Sequence, residues 1–562
     1  MHLRSPAPLV GSPAAKVPAL LTPAWRAALW ALVLSVLAVG LFLPDLMYGD
    51  AAQDAVMAMR MFREGDLVHL LRDGKPYLDK PHLLFWSAMA AYRVFGVHDF
   101  SYRLPSVLVS LLGAFSTGRL ARRLYGARAG EMAALLFITA QAILLGDHDV
   151  RMDALLTGFT AFGLWQLVRW ADTGDLYSLA AGAAGVGLAV DSKGMVAAAL
   201  CGLCLVLYLW GRRRLGLLAS PRIAVGLLSF LVFLAPVLFA YQAQFGAAGV
   251  RFILLGQSAD RFMGGHGEAA AHDYLFFFHS LLWAFLPWTA PLLCALGSRF
   301  RELWRGRWAA FHGAEELSFL GPIVYITGLN FSRFKLPHYL NVSFPLLAVL
   351  TAGWLCRTEG TTRAARVVTR IQDVLIAVLL LGTALLNGWA FPVRSGWVLA
   401  GGAVFAVVLV AGLQLKDPLL RLFVPSAVAI LLANLVLEAN FYPQLALLQP
   451  GPELVRRARS LEVDFDRLYF VGDNTYQPFQ FYAGRVIPAV PAGRLAREVA
   501  EGGRAFALVD DHGLRALAEA GLDVRGRADW PACRITRITW TMVDPRTRPG
   551  ACPAAHLVEL DR

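Results

Sequence analysis

Long apolar stretches recur along this chain and limit what it can fold into. A helix needs about 20 apolar residues to cross a bilayer, and stretches of roughly that length alternate here with short polar loops. The chain has 562 residues, of which 57% are hydrophobic and only 16% are charged. The sequence therefore predicts a polytopic α-helical membrane protein with about 13 spans. The predicted spans lie near 26–44, 103–121, 128–146, 153–171, 177–190, 195–211, 223–242, 275–297, 314–329, 339–356, 372–391, 396–414 and 420–438.

Arginine in alternate loops predicts how the chain is oriented. Short basic loops, such as residues 119–128, 212–222, 299–307 and 357–370, belong on the cytoplasmic side under the positive-inside rule. The same loops explain the net charge of +12 without nucleic acid as a partner. Thirteen is an odd number, so the two termini lie on opposite sides of the membrane, and the basic loops place the N-terminus in the cytoplasm. The long first loop and the C-terminal tail fall on the outer side.

The other set of loops carries charges of both signs together with many histidines and glycines. Ionisable groups near membrane depth are costly, and they tend to mark function. Because these loops share one predicted face, we expect an active or binding site on the non-cytoplasmic side, at the level of the lipid headgroups. The loops are residues 49–100, 147–153, 191–194, 244–274 and 330–339.

Three carboxylates are candidates for this site. Asp50 directly follows the first span, where it could orient a nucleophile or accept its proton, or serve as a helix cap. Asp54 lies one turn later on the same helix face and either shares the site or is solvated. Asp153 opens a span two residues after Arg151, so it either complements the helix dipole or completes an acidic site with Asp50.

Residues 75–82 read KPYLDKPH and form the most specific string in the chain. Two prolines stiffen the segment and fix the directions of Tyr77, Asp79 and Lys80. Lys80 suits a phosphate as a point charge. The alternative is a network of salt bridges at the membrane interface.

Cations come from four separate loops of the predicted outer face. Lys193, Arg261 and Lys335 join Lys80 there, and together they predict an anionic headgroup, most simply a phosphate or pyrophosphate. Asp79 and His266 could hold a divalent cation such as Zn²⁺, Mg²⁺ or Mn²⁺, although ligands so scattered in sequence favour no particular metal.

The tail beyond residue 446 changes in composition. Strands are predicted at 467–473 and 505–510, with helices at 453–461, 493–501 and 514–520 between and after them. This pattern indicates a small α/β domain that acts as a structural or acceptor-guiding cap. Cys533 and Cys552 lie in this tail and could form a disulfide if it is outside the cytoplasm.

Several motifs together resemble one superfamily, the GT-C glycosyltransferases that include the protein-O-mannosyltransferases and the ArnT-like aminoarabinose transferases (glycosyltransferase families 39 and 83). The resemblance covers roughly residues 25–345. Its motifs are Asp50 after the first span, GKPYLDKPHLLFW at 74–86, FGVHDFSYRLPSVL at 95–108, Asp153 after Arg151, Lys193 followed by Gly194, and FSRFKLPHYL at 331–340.

This resemblance implies a GT-C fold with amphipathic juxtamembrane helices in the first periplasmic loop (45–100). It implies a cytoplasmic tail (1–25), a transmembrane catalytic domain (26–445) and a periplasmic α/β domain (446–562). The protein would be a monomer in the bacterial inner membrane. It would transfer a sugar, with inversion, from a polyprenyl (undecaprenyl) phosphate to lipid A, another glycolipid or glycan, or a protein.

The resemblance also implies roles for particular residues. Asp50 and Asp153 would be the catalytic carboxylates. The donor phosphate would be bound by four cations, and the substrate cavity would be lined by four further side chains. These are Lys80, Lys193, Arg261 and Lys335 for the phosphate, and Asp54, Tyr77, His82 and Tyr339 for the cavity.

The chain departs from the family pattern in places where sugar and acceptor would be handled. Asp50 is followed by Ala51 rather than by glutamate, Asp79 stands where glutamate is usual, and His82 stands where a third proline is common. These changes concern the choice of sugar more than the reaction class. Two other functions fit a polytopic protein of this kind: a transporter or flippase of lipid-linked glycans, and another lipid-phosphate headgroup transferase. A transporter would need polar residues on both faces and in mid-span.

Overall fold

Helices form most of the computed structural model, which describes residues 20–264, 270–306, 311–472 and 474–561. Before the tail the helices are α1 Pro23–Phe42, α2 Asp50–Glu64, α3 Leu83–Phe95, α4 Asp99–Tyr125, α5 Ala127–Ile138, α6 Gln141–His148, α7 Met152–Thr173, α8 Leu176–Lys193, α9 Val196–Gly211, α10 Ile223–Arg251, α11 Gln257–Met263, α12 Phe276–Ala284, α13 Thr289–Trp304, α14 Gly321–Asn330, α15 Phe344–Thr358, α16 Arg363–Leu385, α17 Gly396–Leu413, α18 Pro418–Val436 and α19 Tyr442–Ala446.

Among the described residues, seven helical segments are long and apolar enough to cross a membrane, and α5 with α6 makes an eighth if the bent pair counts as one span. The chain is thus a polytopic membrane protein, and the number of thirteen spans stays a prediction. Two predicted spans are broken: 128–146 bends by 51° between α5 and α6, and 275–297 divides into α12 and α13. The polar break at 191–194 does separate α8 from α9.

Small residues let neighbouring helices of the bundle approach closely. Helix α7 packs against both α4 and α8. A Cβ built on Gly158 of α7 would lie 2.2 Å from the carbonyl oxygen of Val109 in α4. Such contacts are typical of helices in lipid, where close backbone approach replaces the hydrophobic effect as a source of association. These contacts hold α7 in place, and Asp153 lies in the first turn of this helix.

Two shorter helices, α2 and α3, pack against each other in the predicted first outer loop. Gly49 adopts a φ of +133° immediately before α2, and Gly65 ends α2 in the left-handed conformation, which glycine adopts without steric cost. Asp50 therefore becomes the first helical residue rather than the cap. A two-stranded hairpin, β1 Leu71–Arg72 and β2 Lys75–Pro76, then leads the chain towards Lys80.

The tail contains a four-stranded sheet of order β3-β4-β6-β5, in which β3 and β4 are parallel and the other pairs are antiparallel. The tail elements are α20 Pro452–Ser460, β3 Leu468–Val471, α21 Gln477–Ala483, α22 Ala492–Gly502, β4 Ala505–Val509, α23 Asp511–Glu519, β5 Asp523–Pro531, α24 Trp540–Val543 and β6 Ala554–Asp561. Cys533 and Cys552 form a disulfide in the connection between β5 and β6.

Two side chains of the tail fasten the segment between α1 and α2. The Gln449 amide accepts a 2.7 Å hydrogen bond from Tyr48 N and donates one of 2.8 Å to Leu46 O. The Tyr482 hydroxyl accepts from Leu46 N and donates to Asp99, both at 2.7 Å. The backbone that leads into Asp50 is therefore held by the tail as well as by the helix bundle.

Candidate active site

Asp50 is an accessible carboxylate placed between two cations. Its Oδ2 lies 3.4 Å from Arg151 Nη1 and 3.9 Å from Lys80 Nζ, and 43% of its side chain is exposed. Arg151 is also held at 2.8 Å by Asp149. The flanking cations fix the direction of Asp50 while leaving one side open, so that the carboxylate can orient a bound molecule or accept a proton from it.

Asp79 gathers a second set of polar groups at the end of the 75–82 segment. Arg261 Nη2 donates a 2.7 Å hydrogen bond to its Oδ1, and Lys80 Nζ lies 3.9 Å from its Oδ2. Gln257 donates a 2.6 Å hydrogen bond to the Asp79 carbonyl. Helix α11 thus places Arg261 next to the same carboxylate as Lys80, although the two residues are 181 positions apart in sequence.

The third polar group is a buried ion pair between Asp153, in the first turn of α7, and Lys193, in the last turn of α8. Lys193 Nζ lies 2.6 Å from Asp153 Oδ1, with side chains only 7% and 5% exposed. The ammonium also lies 4.7 Å from the centre of the Tyr339 ring, a favourable cation–π arrangement. His338 Nε2 is 3.9 Å from Asp153 Oδ2. The two charges therefore compensate each other where little of either side chain is exposed.

A cavity of about 240 Å³ joins this ion pair to Arg261. Three charged residues, Asp153, Lys193 and Arg261, contribute to its lining, and its other walls are mainly aliphatic and aromatic. Such a cavity suits an amphiphile with an anionic head and an apolar chain. Its lining includes Asp153, Leu156, Lys193, Met195, Val196, Ala199, Arg261, Phe262, Tyr325, Leu329 and Tyr339.

Asp54 lies behind Asp50 on α2 and is buried, with 1% of its surface exposed. Neither carboxylate oxygen has a hydrogen-bond partner among the residues that the structure describes. Burial raises the pKa of Asp54 to about 7, with the Lys80 charge opposing the shift and the Asp50 charge adding to it. Burial also raises the pKa of Tyr77, and the neighbouring Asp54 charge contributes to that rise. Both groups therefore feel the charges of the site without lining the cavity.

Two predicted site residues lie elsewhere. His82 is fully buried, contacts Val68 O at 2.9 Å and packs against Trp86 and Tyr241. It does not line the cavity, and burial lowers its pKa to about 4, which keeps it neutral. Lys335 donates instead to the carbonyls of residues 270 and 271 at 2.9 and 3.1 Å, so its ammonium does not join the other cations.

The predicted metal pair of Asp79 and His266 stays a prediction. His266 lies outside the described residues, and Asp79 is engaged by Arg261 and Lys80. Within the described ranges, no three His, Cys, Asp or Glu side chains are grouped so that they could hold a metal ion.

Sequence reasoning missed three contributors to the site. The sequence pattern indicates Arg151 only as a neighbour of Asp153, yet its side chain contacts Asp50 directly. Gln257 and His338 contact Asp79 and Asp153. The position of Arg151, in the same short polar loop as Asp149 and Asp153, was the available signal for its role.

The fold and the site together define a polytopic helical protein that has a cavity with charged and apolar lining residues and an accessible carboxylate at Asp50. The family model for dolichyl-phosphate-mannose-protein mannosyltransferase matches residues 79–239. Over those residues the chain is similar to the protein mannosyltransferases.

The chain is also similar to two arabinosyl transferases along part of their length. The undecaprenyl phosphate-alpha-4-amino-4-deoxy-L-arabinose arabinosyl transferase of Edwardsiella ictaluri is 27% identical over 371 residues, which are 63% of each chain. Its counterpart in Pseudomonas aeruginosa PAO1 is 29% identical over 389 residues, 67% of this chain and 63% of the relative. The match thus spans less than two thirds of these relatives.

A solved structure extends the likeness along nearly the whole chain. ArnT from Cupriavidus metallidurans bound to undecaprenyl phosphate superposes with a TM-score of 0.73 at 21% identity and covers 96% of this chain and 98% of that one. Its apo form gives a TM-score of 0.71. At this identity the likeness establishes the fold.

Proposed function

We propose that this protein is an inverting glycosyltransferase that moves a sugar from a polyprenyl phosphate, of the undecaprenyl type, to an acceptor outside the cytoplasm. The observation that carries the proposal is the cavity with cationic lining residues and apolar walls, placed close to the accessible carboxylate of Asp50. The relatives are named for an undecaprenyl-phosphate-linked aminosugar, which supports the lipid carrier. The identity of the sugar is open because the chain differs from the family pattern beside Asp50.

The donor phosphate would bind where Lys80, Lys193 and Arg261 meet. Each comes from a different part of the chain, and the buried Lys193 is held in place by Asp153. Charge-assisted hydrogen bonds from such cations are strong, and they would stabilise the charge that develops on the phosphate as it leaves. The apolar walls would hold the first prenyl units. Asp153 would act mainly by positioning Lys193.

Asp50 would act on the acceptor. An acceptor oxygen attacks the anomeric carbon, the bond from that carbon to the phosphate oxygen breaks, and polyprenyl phosphate departs. If the acceptor is a hydroxyl, its proton passes to Asp50. If the acceptor is a phosphate, Asp50 orients it without taking a proton. A single displacement of this kind inverts the anomeric centre.

The membrane arrangement follows from the distribution of arginine. We place residues 1–25 in the cytoplasm, the catalytic domain (26–445) in a bacterial inner membrane and the α/β domain (446–562) in the periplasm. The basic loops of the sequence support this orientation. The protein would work as a monomer on lipid A, another glycan or a protein.

The test is a donor-release assay on the purified full chain in detergent with lipid. Wild type and Asp50→Asn are each given a polyprenyl-phosphate sugar, and free polyprenyl phosphate is measured with and without acceptor. The matched control is Glu501→Gln, an exposed carboxylate in the tail. We expect acceptor-dependent release from wild type and the control and a loss of at least 100-fold in Asp50→Asn, the scale typical of a positioned acid–base group.

Two results would contradict the proposal. Release that is unchanged in Asp50→Asn removes this carboxylate from the reaction. Movement of an intact lipid-linked sugar between leaflets of a vesicle, without release of polyprenyl phosphate, indicates a transporter.

A further inference from the structure

A second cavity, of about 390 Å³, lies between the tail and the segment that leads into α2. It opens beside the carboxyl ends of the parallel strands β3 and β4, the edge at which α/β sheets usually bind ligands. Its volume is within the range of small-molecule sites, about 300–1,000 Å³. Its lining includes Tyr48, Gln449, Asn474, Tyr476, Asp510, Arg534, Arg537, Thr539 and Met542.

Several polar groups of this cavity have unused binding capacity. Arg534 and Arg537 form no ion pair with any residue in the described ranges. Only 3% of Tyr476 is exposed, and its hydroxyl interacts with the Asn474 side chain without forming a hydrogen bond of ordinary geometry in the described ranges. Asp510 is held in a fixed direction, because it accepts hydrogen bonds of 2.8 Å from both Asn474 and Gly513 N. The cavity thus offers two cations, a fixed carboxylate and a buried hydroxyl.

The cavity is also adjacent to the candidate catalytic carboxylate. Tyr48 lines it and stands two residues before Asp50. The segment that carries Arg534 and Arg537 crosses the same backbone, since a Cβ built on Gly49 would lie 3.3 Å from Thr536 Cγ2. The second cavity therefore adjoins the segment that carries Asp50, and it shares no lining residue with the donor cavity.

We propose that this second cavity binds the acceptor, and that the part of the acceptor bound there is an anionic saccharide. This inference rests on the proposed transferase function and specifies its acceptor. Guanidinium groups favour phosphate or carboxylate through paired hydrogen bonds, which accounts for Arg534 and Arg537. Asp510, Asn474 and the Tyr476 hydroxyl match the donors and acceptors of sugar hydroxyls.

The geometry gives the saccharide a direction. With its anionic group at the arginines, the saccharide extends along Tyr48 towards Asp50. The group that attacks the donor would then be a hydroxyl or a second anionic group on the same saccharide. A peptide acceptor is less suited to the cavity, because an extended peptide is recognised by a sheet edge or a long groove, and β3 and β4 present only their ends here.

The first experiment measures binding of a matched pair of probes to the full chain in detergent. Trehalose 6-phosphate and trehalose differ only in the phosphate, and ligand-observed NMR detects both. We expect the phosphorylated sugar to bind and the neutral sugar to bind at least tenfold more weakly. In Arg534→Ala/Arg537→Ala the difference between the two probes should disappear.

The matched control for the double variant is Arg497→Ala. Arg497 is an exposed arginine of α22 that makes no ion pair in the described part of the tail and does not line the cavity. It should retain the preference for the phosphorylated probe. Arg534→Lys/Arg537→Lys should restore part of the preference, which a general loss of folding would not allow. Equal binding of both probes to wild type, or an unchanged preference in the double alanine variant, overturns the inference.

The second experiment separates this inference from the proposed function. Release of polyprenyl phosphate is measured with vesicles that contain a phosphorylated glycolipid, with the same glycolipid after dephosphorylation, and with its soluble deacylated headgroup. We expect the phosphorylated forms to stimulate release, and the double alanine variant to raise their KM at least tenfold while binding of undecaprenyl phosphate itself is unchanged. Activity of the soluble headgroup identifies a free glycan, and activity of the vesicle form alone identifies a lipid.

Results that contradict the acceptor site differ from results that contradict the transferase function. If wild type releases polyprenyl phosphate but a hydroxyl-bearing peptide is the acceptor, or the double variant keeps the wild-type KM, the second cavity is not the acceptor site and the transferase proposal stands. If wild type does not bind undecaprenyl phosphate, the proposed function itself fails.

Discussion

Lys193 donates a 2.6 Å hydrogen bond to Asp153 where the end of α8 meets the start of α7, and both side chains are almost completely buried. Burying an isolated charge is strongly unfavourable, so each residue compensates the cost of burying the charge of the other. The contact between α7 and α8 is also close, since a Cβ on Gly182 of α8 would lie 2.9 Å from Leu167 N of α7. Close helix packing and the ion pair thus place one ammonium in the lining of the donor cavity.

Removal of one partner of this pair should be costly. Lys193→Met leaves Asp153 buried without its counter-charge, and breaking a buried pair in this way costs about 3–5 kcal/mol. We expect a lower unfolding temperature together with loss of undecaprenyl phosphate binding, measured by thermal unfolding in detergent and by ligand binding.

The double variant Asp153→Asn/Lys193→Met separates stability from binding. With both charges gone, most of the lost stability should return, while binding of undecaprenyl phosphate should stay weak because the cation is still absent. Recovery of binding in the double variant would show that Lys193 does not contact the donor.

Asp54 should make donor binding depend on pH near neutrality. Because burial raises the pKa of Asp54 to about 7, the side chain is neutral below pH 7 and gains a negative charge above it, close to Lys80 and Asp50. Binding of undecaprenyl phosphate should therefore weaken between pH 6 and pH 8. Asp54→Asn should bind more tightly than wild type at pH 8 and about equally at pH 6. The lipid's own titration is common to both proteins, so the difference between them isolates Asp54.

Asp54 should also make the stability of the folded chain depend on pH. The pKa of Asp54 is higher in the folded chain than the ordinary value near 4, so the stability linked to its proton is present below about pH 4 and is lost as pH rises towards 7. The unfolding temperature of Asp54→Asn relative to wild type should rise across that interval and level off above it. Glu501→Gln serves as the control and should follow wild type at every pH.

Most of the charged site could be predicted from the sequence, because charges at the ends of apolar spans are rare. Asp50, Lys80, Asp153, Lys193 and Arg261 do meet around one region of the structure. The predicted positions of His82 and Lys335 differ from the structure. A short polar segment exposes some side chains and buries others, and the sequence does not show which side chains are buried. The direction of Lys335 depends on the carbonyls of residues 270 and 271, which are 65 and 64 positions away in sequence.

The fold was predictable to a similar degree, and its failures have physical causes. The predicted strands at 467–473 and 505–510 form because their apolar runs are buried between helices. Strands β5 and β6 were both missed. Strand β5 is an edge strand with largely exposed, charged residues, so it lacks a regular apolar alternation. Strand β6 is mostly buried beside β4, but Glu559 interrupts its short apolar run. The bend between α5 and α6 lies in an uninterrupted apolar run, so hydropathy alone does not reveal it.

Gln449 should matter for catalysis although it does not line the donor cavity. Gln449→Ala removes the two hydrogen bonds that hold Leu46 and Tyr48, and it leaves both backbone groups unpaired at a cost of about 1–3 kcal/mol. Asp50 follows this segment directly, and a shift of about 1 Å in a reacting group can reduce the rate 100-fold. We expect kcat to fall by at least tenfold with undecaprenyl phosphate binding nearly unchanged.

Gln414→Ala, at an exposed glutamine after α17, is the control and should retain wild-type kcat. Equal kcat in both variants would show that the tail does not position Asp50.

Gly158 should be the glycine of α7 that tolerates substitution least. A Cβ at this position would lie 2.2 Å from Val109 O and 2.6 Å from Val109 Cγ1, and the carbonyl belongs to the backbone of α4, which cannot rotate away. Gly158→Ala must therefore separate α4 from α7, and overpacking of this kind costs about 1–3 kcal/mol or more.

Gly202→Ala is the matched control, because no atom lies within 4 Å of its added methyl group and alanine favours a helix by about 1 kcal/mol over glycine. Thermal unfolding in detergent should show a clear loss for Gly158→Ala and none for Gly202→Ala, and an equal Tm for the two variants would mean that α4 and α7 are not in close contact.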